Sequence, residues 1–195
     1  DSSNLVPETG VGHDFGVDYI WADGRGKASF VWFQRDAEKE FDWIQVAPGI
    51  YKVRNAFKTK VRGLEGEASI PLWESLSLDL ALTLQEAENL TEKRDMYSRP
   101  RKMFSGAFDW TSPDDVMKVN LGFRCLGSRT DAGDMHSPSF TVWNLATTFA
   151  TREDWDIPLR MENVLNNDYT EMVDWNGNPY GTFGRSVFLG VRWRY

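Results

Sequence analysis

The sequence predicts an all-β chain: a transmembrane, antiparallel, up-and-down β-barrel wall of about nine strands. Three observations carry this. Apolar residues recur at period two along nearly the whole chain, which places them on one face of a strand and would scatter them around a helix. The alternating runs are about 10–15 residues long, against a usual five or six in globular sheets. Connections alternate strictly between short turns and long polar, aromatic loops, so a meander collects every tight turn at one end.

The elements follow in order. The first strand covers 11–21, where Phe15, Val17, Tyr19 and Trp21 alternate with Asp14, Gly16 and Asp18. The second covers 27–41. The third, 51–71, changes phase: Val53, Phe57 and Val61 share one parity, while Leu64, Ala68, Ile70 and Leu72 share the other. A bulge near Arg62-Gly63 would restore a single apolar face. The fourth, 76–88, is the clearest, with Leu76, Leu78, Leu80, Leu82 and Leu84 set against Ser77, Asp79, Ala81, Thr83 and Gln85. Strands over 101–111 and 116–129 follow, the latter setting Met117, Val119, Leu121, Phe123 and Cys125 against Lys118, Asn120, Gly122 and Arg124. In 139–151, Trp143, Leu145 and Phe149 oppose Asn144, Ala146 and Thr148. In 155–170, Trp155, Ile157, Leu159 and Met161 oppose Asp156, Pro158, Arg160 and Glu162. The last strand, 184–195, keeps the alternation except at Phe188. Short connections fall at 22–26, 72–75, 112–115 and 152–154, and long ones near 42–50, 89–100, 130–138 and 171–183.

Composition narrows the class. Nine Trp, twelve Phe and six Tyr give 14% aromatic residues, far too many for a disordered chain. A net charge of −7 argues against a nucleic-acid partner, because phosphate binding wants a basic face. The single Cys125 excludes an intrachain disulfide and any cysteine-based zinc cluster. No run of about 18 apolar residues is present, which excludes a transmembrane helix and leaves a transmembrane barrel open. Tyr19, Trp21, Trp110, Trp155, Trp193 and Tyr195 sit at the short-turn end, where an aromatic girdle at a lipid interface belongs. Lipid bilayer and lipopolysaccharide are then the expected surroundings. The competing readings are a small self-closed outer-membrane barrel of eight or ten strands, serving as anchor, pore or adhesin, and a soluble lipocalin-like barrel whose leucines form a dry core.

Candidate chemistry is sparse. Asp14, Asp18, Asp79, Arg124, Arg160, Glu162, Arg192 and Arg194 are expected to face the lumen and to solvate a channel wall rather than to pair for acid–base catalysis. Asp131, Asp134 and His136 share one loop and read as hydrated loop polars rather than metal ligands. Ser128, Ser137 and Ser139 near His136 show no nucleophile elbow. Gly24-Arg25-Gly26 lacks the strand–helix context of a phosphate loop. No catalytic residue, metal ligand or cofactor is assigned. Trp43, Arg94, Tyr97, Trp175 and Tyr180, all placed in long loops, are the ligand-binding candidates, because aromatic loop residues suit stacking against a bulky ligand.

Several segments together resemble the C-terminal part of the barrel of a TonB-dependent outer-membrane receptor. They are Asn4-Leu5-Val6-Pro7-Glu8, Arg62-Gly63-Leu64-Glu65, Leu126-Gly127-Ser128-Arg129, Glu162-Asn163 through Tyr169, and Gly184-Arg185-Ser186 leading into the last strand. The order and the spread over nearly the whole of 1–195 carry the resemblance, with the closest flavour in the cobalamin and siderophore branch. The resemblance implies a 22-stranded barrel with an N-terminal plug, of which this chain would supply the last strands. It implies uptake of a scarce bulky nutrient such as a ferric siderophore, cobalamin or haem, energised by TonB through the plug, with no bond made or broken. The ending Gly190-Val191-Arg192-Trp193-Arg194-Tyr195 is similar to the signal read by the barrel assembly machinery, with Gly190, Trp193 and Tyr195 as its marks. Strand parity agrees: nine strands leave the two ends on opposite sides of the membrane, whereas a complete bacterial barrel has an even number. The expected partners are therefore the remaining strands, the plug and, through the plug, TonB.

Overall fold

Period-two alternation becomes a single antiparallel wall. The computed structural model describes residues 4–151, 154–174 and 176–193. Its strands are β1 (Thr9–Trp21), β2 (Gly26–Ala47), β3 (Ile50–Trp73), β4 (Leu76–Asn89), β5 (Arg94–Asp95), β6 (Lys102–Thr111), β7 (Met117–Leu126), β8 (Arg129–Asp131), β9 (Met135–Ser137), β10 (Phe140–Ala150), β11 (Trp155–Glu162), β12 (Ser186–Leu189) and β13 (Arg192–Trp193). The wall runs β1-β2-β3-β4-β6-β7-β10-β11-β12, with β13 continuing the last stave against β11. β5 pairs with β4, and β8 with β9, inside the loops. The nine staves match the nine expected strands. The wall does not close on itself: β1 pairs only with β2, and β12 only with β11.

Register sorts the side chains into two faces. One rung joins Phe15, Trp32, Leu64, Leu84 and Lys102 across β1 to β6. Another joins Leu80, Gly106, Phe123 and Trp143. Every residue of such a rung points to the same side. The apolar rungs form the outer face, and Phe15, Val17, Tyr19, Phe30, Leu64, Trp73, Leu189 and Trp193 remain more than half exposed on it. Leu76 to Leu84 spans about 27 Å along the strand, or about 21 Å along the membrane normal at a 40° tilt, close to the usual apolar band. At the short-turn end Tyr19 stacks on Trp21 at 5.7 Å and Trp155 on Trp193 at 6.0 Å, which forms part of the expected girdle. Asp14, Asp18, Asp79, Arg124, Arg160, Glu162 and Arg192 share the opposite, concave face; Arg194 lies outside the described residues.

Three details differ from expectation. No bulge occurs at Arg62-Gly63, where β3 keeps register with both neighbours. Irregularities sit instead at Glu38, Glu40 and Phe41, with Lys39 in the left-handed region at φ 61, and also between Gln45 and Ala47 and between Pro71 and Trp73. The phase change needs no repair, because Val61 faces the lumen beside Phe33. The stretch 42–50 is not a long loop. It continues β2 and β3 outward to a tight turn at Pro48-Gly49, where Pro supplies the fixed φ and Gly49 the positive one, 73°. Two strands stop early. β11 ends at Glu162 because Asn163, at φ 49 and 2% exposed, turns the chain and bonds Asn167 and Phe183. The last stave breaks at Gly190-Val191 opposite Pro158, which accepts from Gly190 N at 2.9 Å but has no N–H to return.

Gly63 shows why one motif needs its glycine. A Cβ there would lie 2.3 Å from the Leu84 carbonyl oxygen and 2.8 Å from the Phe33 ring. Gly63→Ala is expected to lower stability by about 1–3 kcal/mol through overpacking. Urea unfolding of the detergent-solubilised protein would read this as a lower midpoint at unchanged slope.

Candidate functional site

The concave face carries two hollows. Toward the short-turn end, a cavity of about 740 Å³ is lined by Asp18, Lys27, Glu67 and Asp79 among small residues. Asp18, Glu67 and Asp79 make no ion pair among the described residues, so the inner wall here presents three carboxylates against the single Lys27. Toward the loops, a second cavity of about 580 Å³ is lined by Arg35, Arg99 and Arg129, by Glu40 and Glu171, and by an apolar floor of Phe33, Val61, Met103 and Leu126. Arg35 and Arg99 are exposed, and their side chains make no hydrogen bond or ion pair among the described residues. Such a hollow suits a bulky ligand with an apolar body and anionic groups.

Above this cavity the loops are tied together at one buried carboxylate. Asp131 is fully buried, and the Arg129 side chain is only 2% exposed. Arg129 Nε donates to Asp131 at 3.1 Å, and its Nη2 donates to the Thr170 carbonyl at 3.4 Å and to the Glu171 carbonyl. The Ser137 hydroxyl donates to Asp131, and Val173 N approaches the same carboxylate at 3.4 Å. Ser98 adds its hydroxyl, and its backbone N donates to the Thr130 carbonyl at 2.8 Å. Three loops therefore meet here: 90–101, 127–139 and 163–185. Burial acts to raise the Asp131 pKa, but the Ser137 and Ser98 hydroxyls, the Arg129 charge and Val173 N–H together pull it below the ordinary carboxylate value. The expectation of hydrated loop polars is thus corrected for Asp131, which is dry and fully engaged. Arg129 Nη1 is buried without a partner.

Of the residues singled out for ligand contact, the fold brings two together. The Arg94 guanidinium lies 3.8 Å over the Tyr97 ring, and the Tyr97 hydroxyl donates to Asp134 at 2.8 Å. That hydrogen bond, with burial behind it, raises the Tyr97 pKa. Trp43 stands on the outer part of β2 opposite Val53, and Tyr180 lies exposed in the last loop with its N bonded to the Met172 carbonyl at 2.9 Å. Trp175 lies outside the described residues. None of these lines the arginine-bearing cavity. Arg35 and Arg99 are not aromatic loop residues and escape that criterion. The available signal was parity, which puts Arg35 on the face of Phe33 and Ala37. Trp193 ends β13, Gly190 lies at the break between β12 and β13, and Tyr195 lies outside the described residues. Among the described residues no group of three or more His, Cys, Asp or Glu is placed to hold a metal ion.

The sequence segments noted above act as joints. Asn55 bonds Val6 in both directions, at 2.9 and 2.8 Å, and also reaches the Lys39 carbonyl at the bulge. Glu8 accepts the Phe41 N–H at 2.7 Å, so the segment before β1 satisfies backbone groups that the bulge releases.

Comparison with known proteins agrees with this architecture. The family described as TonB dependent receptor-like, beta-barrel matches over residues 1–193. The vitamin B12 transporter BtuB of Vibrio vulnificus (strain YJ016) is 22% identical over 200 residues, covering 98% of this chain and 31% of that protein. The pyoverdine outer membrane receptor FpvA from Pseudomonas aeruginosa PAO1, bound to pyoverdine, superposes with a TM-score of 0.83 at 18% identity, over 100% of this chain and 31% of that one. The ferric-catecholate import receptor Fiu from K12 E. coli gives a TM-score of 0.79 at 17% identity, over 97% of this chain and 28% of that one. The chain thus spans less than a third of the length of these relatives.

Proposed function

This chain belongs to the TonB-dependent receptor β-barrel family, whose barrels are integral to the Gram-negative outer membrane, and from that premise we propose that it is the C-terminal wall of an active-transport receptor for a scarce bulky nutrient. The observation that carries this reading is the register. Across nine staves it separates a lipid-facing apolar face from a charged concave one. The two free edges are met by further strands of the same barrel, since unpaired backbone in hydrocarbon costs several kcal/mol per group. The carboxylates of the lower hollow face a plug, and TonB acts through that plug. The arginine-bearing cavity and the loops above it take the ligand. Residues here bind and guide but make no bond. Gly190, Trp193 and Tyr195 serve recognition by the barrel assembly machinery.

The relatives transport or bind cobalamin, pyoverdine and ferric catecholates. Arg35 and Arg99 favour an anionic ferric siderophore over neutral cobalamin, because free guanidinium groups recognise carboxylate and catecholate oxygens. The test expresses the full receptor in cells lacking it and supplies ⁵⁵Fe-labelled ferric pyoverdine, a ferric catecholate, cyanocobalamin and haem in turn. We expect uptake of an anionic ferric chelate that vanishes without TonB. The Arg35→Glu, Arg99→Glu double variant should lower it at least tenfold at equal surface abundance. TonB-independent leakage of all four probes would overturn the transport reading. Full uptake by the double variant would overturn the assignment of the two arginines.

A further inference from the structure

Parity makes much of the concave face polar, and one patch of it breaks that rule. Three successive rungs turn apolar side chains inward. The first carries Met103 and Leu126, the second Phe33, and the third Val61 and Ala87 beside Arg35. Met96 extends the third rung, because its N donates to the Ala87 carbonyl at 2.8 Å. Met172 reaches the same patch from the last loop, and three of the chain's six methionines thus line the cavity of about 580 Å³. An apolar side chain on this face meets neither lipid nor a dry core. A contiguous apolar patch in such a place marks a surface that a ligand covers.

The three methionines come from three segments whose backbones are fixed. Met103 lies in the β6 ladder between Thr83 and Leu126. Met96 is tied to Ala87. The Met172 carbonyl accepts the Tyr180 N–H at 2.9 Å, and its neighbour Glu171 is held through its own carbonyl by Arg129. The side chains are not fixed in the same way: Met96 and Met103 are half-buried, and Met172 is 46% exposed. Methionine is unbranched, turns about three bonds and carries a polarisable sulfur that also contacts aromatic rings well. A rigid frame therefore presents a floor that can change shape without loop motion. A cavity built for one ligand gains more from branched or aromatic side chains, which lose less freedom when the ligand orders them. The cations above the floor do the opposite task. The Arg35 and Arg99 guanidinium groups are unpaired among the described residues and recognise anionic oxygens whatever body carries them.

Resting on the reading that this cavity takes a ferric chelate, we propose that it serves a set of chelates of different scaffold, with Met96, Met103 and Met172 setting the breadth. Arg35 and Arg99 hold the anionic groups that such chelates share, and the methionines refit the floor to the bodies that differ. The test measures retention of ⁵⁵Fe-labelled ferric pyoverdine and of a ⁵⁵Fe-labelled ferric tris-catecholate by the full receptor purified in detergent. We expect both to bind, with Kd values within about tenfold of each other. The Met96→Ile, Met103→Ile, Met172→Ile variant keeps the apolar floor but stiffens it at χ1. It should shift the ratio of the two Kd values by at least about tenfold, weakening one chelate and sparing the other. Met117→Ile, on the outer face opposite Phe149, should change neither. Heat-modifiable migration on a gel verifies that each variant is folded. A wild type that binds only one chelate, or prefers it by more than about tenfold, would overturn the breadth and leave the transport reading standing. An unchanged ratio in the folded triple variant, including equal loss of both chelates, would overturn the role of the methionines. Failure of both chelates to bind would overturn the siderophore reading and this proposal with it.

Discussion

Asp131→Ala is expected to release all three long loops at once while leaving the barrel wall intact. It would strand the Arg129 guanidinium, already buried, without its counter-charge. Breaking a buried pair by removing one partner costs about 3–5 kcal/mol. The loss should appear locally, as faster amide exchange and easier proteolysis in 90–101, 127–139 and 163–185, with heat-modifiable migration of the barrel unchanged. Loss of protection in only one loop would contradict a shared anchor. Asp131→Asn, which keeps an acceptor for Ser137, should fall between wild type and Ala. The same carboxylate gives a pH signature. Its folded-state pKa is lowered, so its stabilisation is fully present above the ordinary aspartate value of about 3.9 and is lost as pH falls through the lower folded value. Loop proteolysis by an acid-tolerant protease should therefore be as slow at pH 5 as at pH 7, and should rise only well below pH 4.

Leu80→Arg is expected to be the most damaging change on the wall itself. Leu80 lies midway along the apolar run of β4, on the rung with Gly106 and Phe123. An arginine near the bilayer midplane costs about 2–4 kcal/mol in a barrel of this kind. Ala81→Arg, one residue along, points into the lower hollow beside Asp79 and Glu67 and should be tolerated. Folding yield into vesicles and urea midpoints compare the two directly. Equal damage at both positions would mean that the apolar face does not meet lipid.

That contrast rests on what the sequence makes legible. Parity alone located nine staves, because an alternation such as Leu76 to Leu84 has only one strand geometry that hides it from water. Boundaries failed where side chains act over long sequence distance. Asn163 stops β11 by bonding residues up to twenty positions away, and nothing local announces that. The outer end of the β2–β3 hairpin, 42–50, reads as a loop because it carries polar Asp42 and Gln45, whereas beyond the bilayer both faces of a hairpin are wet and alternation has no reason to persist. The site was less legible still. The residues picked for stacking are loop aromatics, whereas the cavity's unpaired cations come from a wall strand, Arg35, and from a loop, Arg99, beside the buried clamp of Arg129, whose partners gather only in three dimensions. Asp131 looked hydrated because its neighbours in sequence are polar. Its neighbours in space are hydroxyls and a guanidinium that replace water.

The order of the wall has a kinetic corollary. Each stave pairs with the next one along the chain, so no step of sheet growth has to bring together remote segments, and the entropy of loop closure stays small at every addition. Growth can then proceed hairpin by hairpin in strict succession. On the proposed reading that further strands complete the barrel, the slow event left is the pairing of the β1 and β12 edges, and mutations on those edges should retard maturation more than they weaken the finished protein.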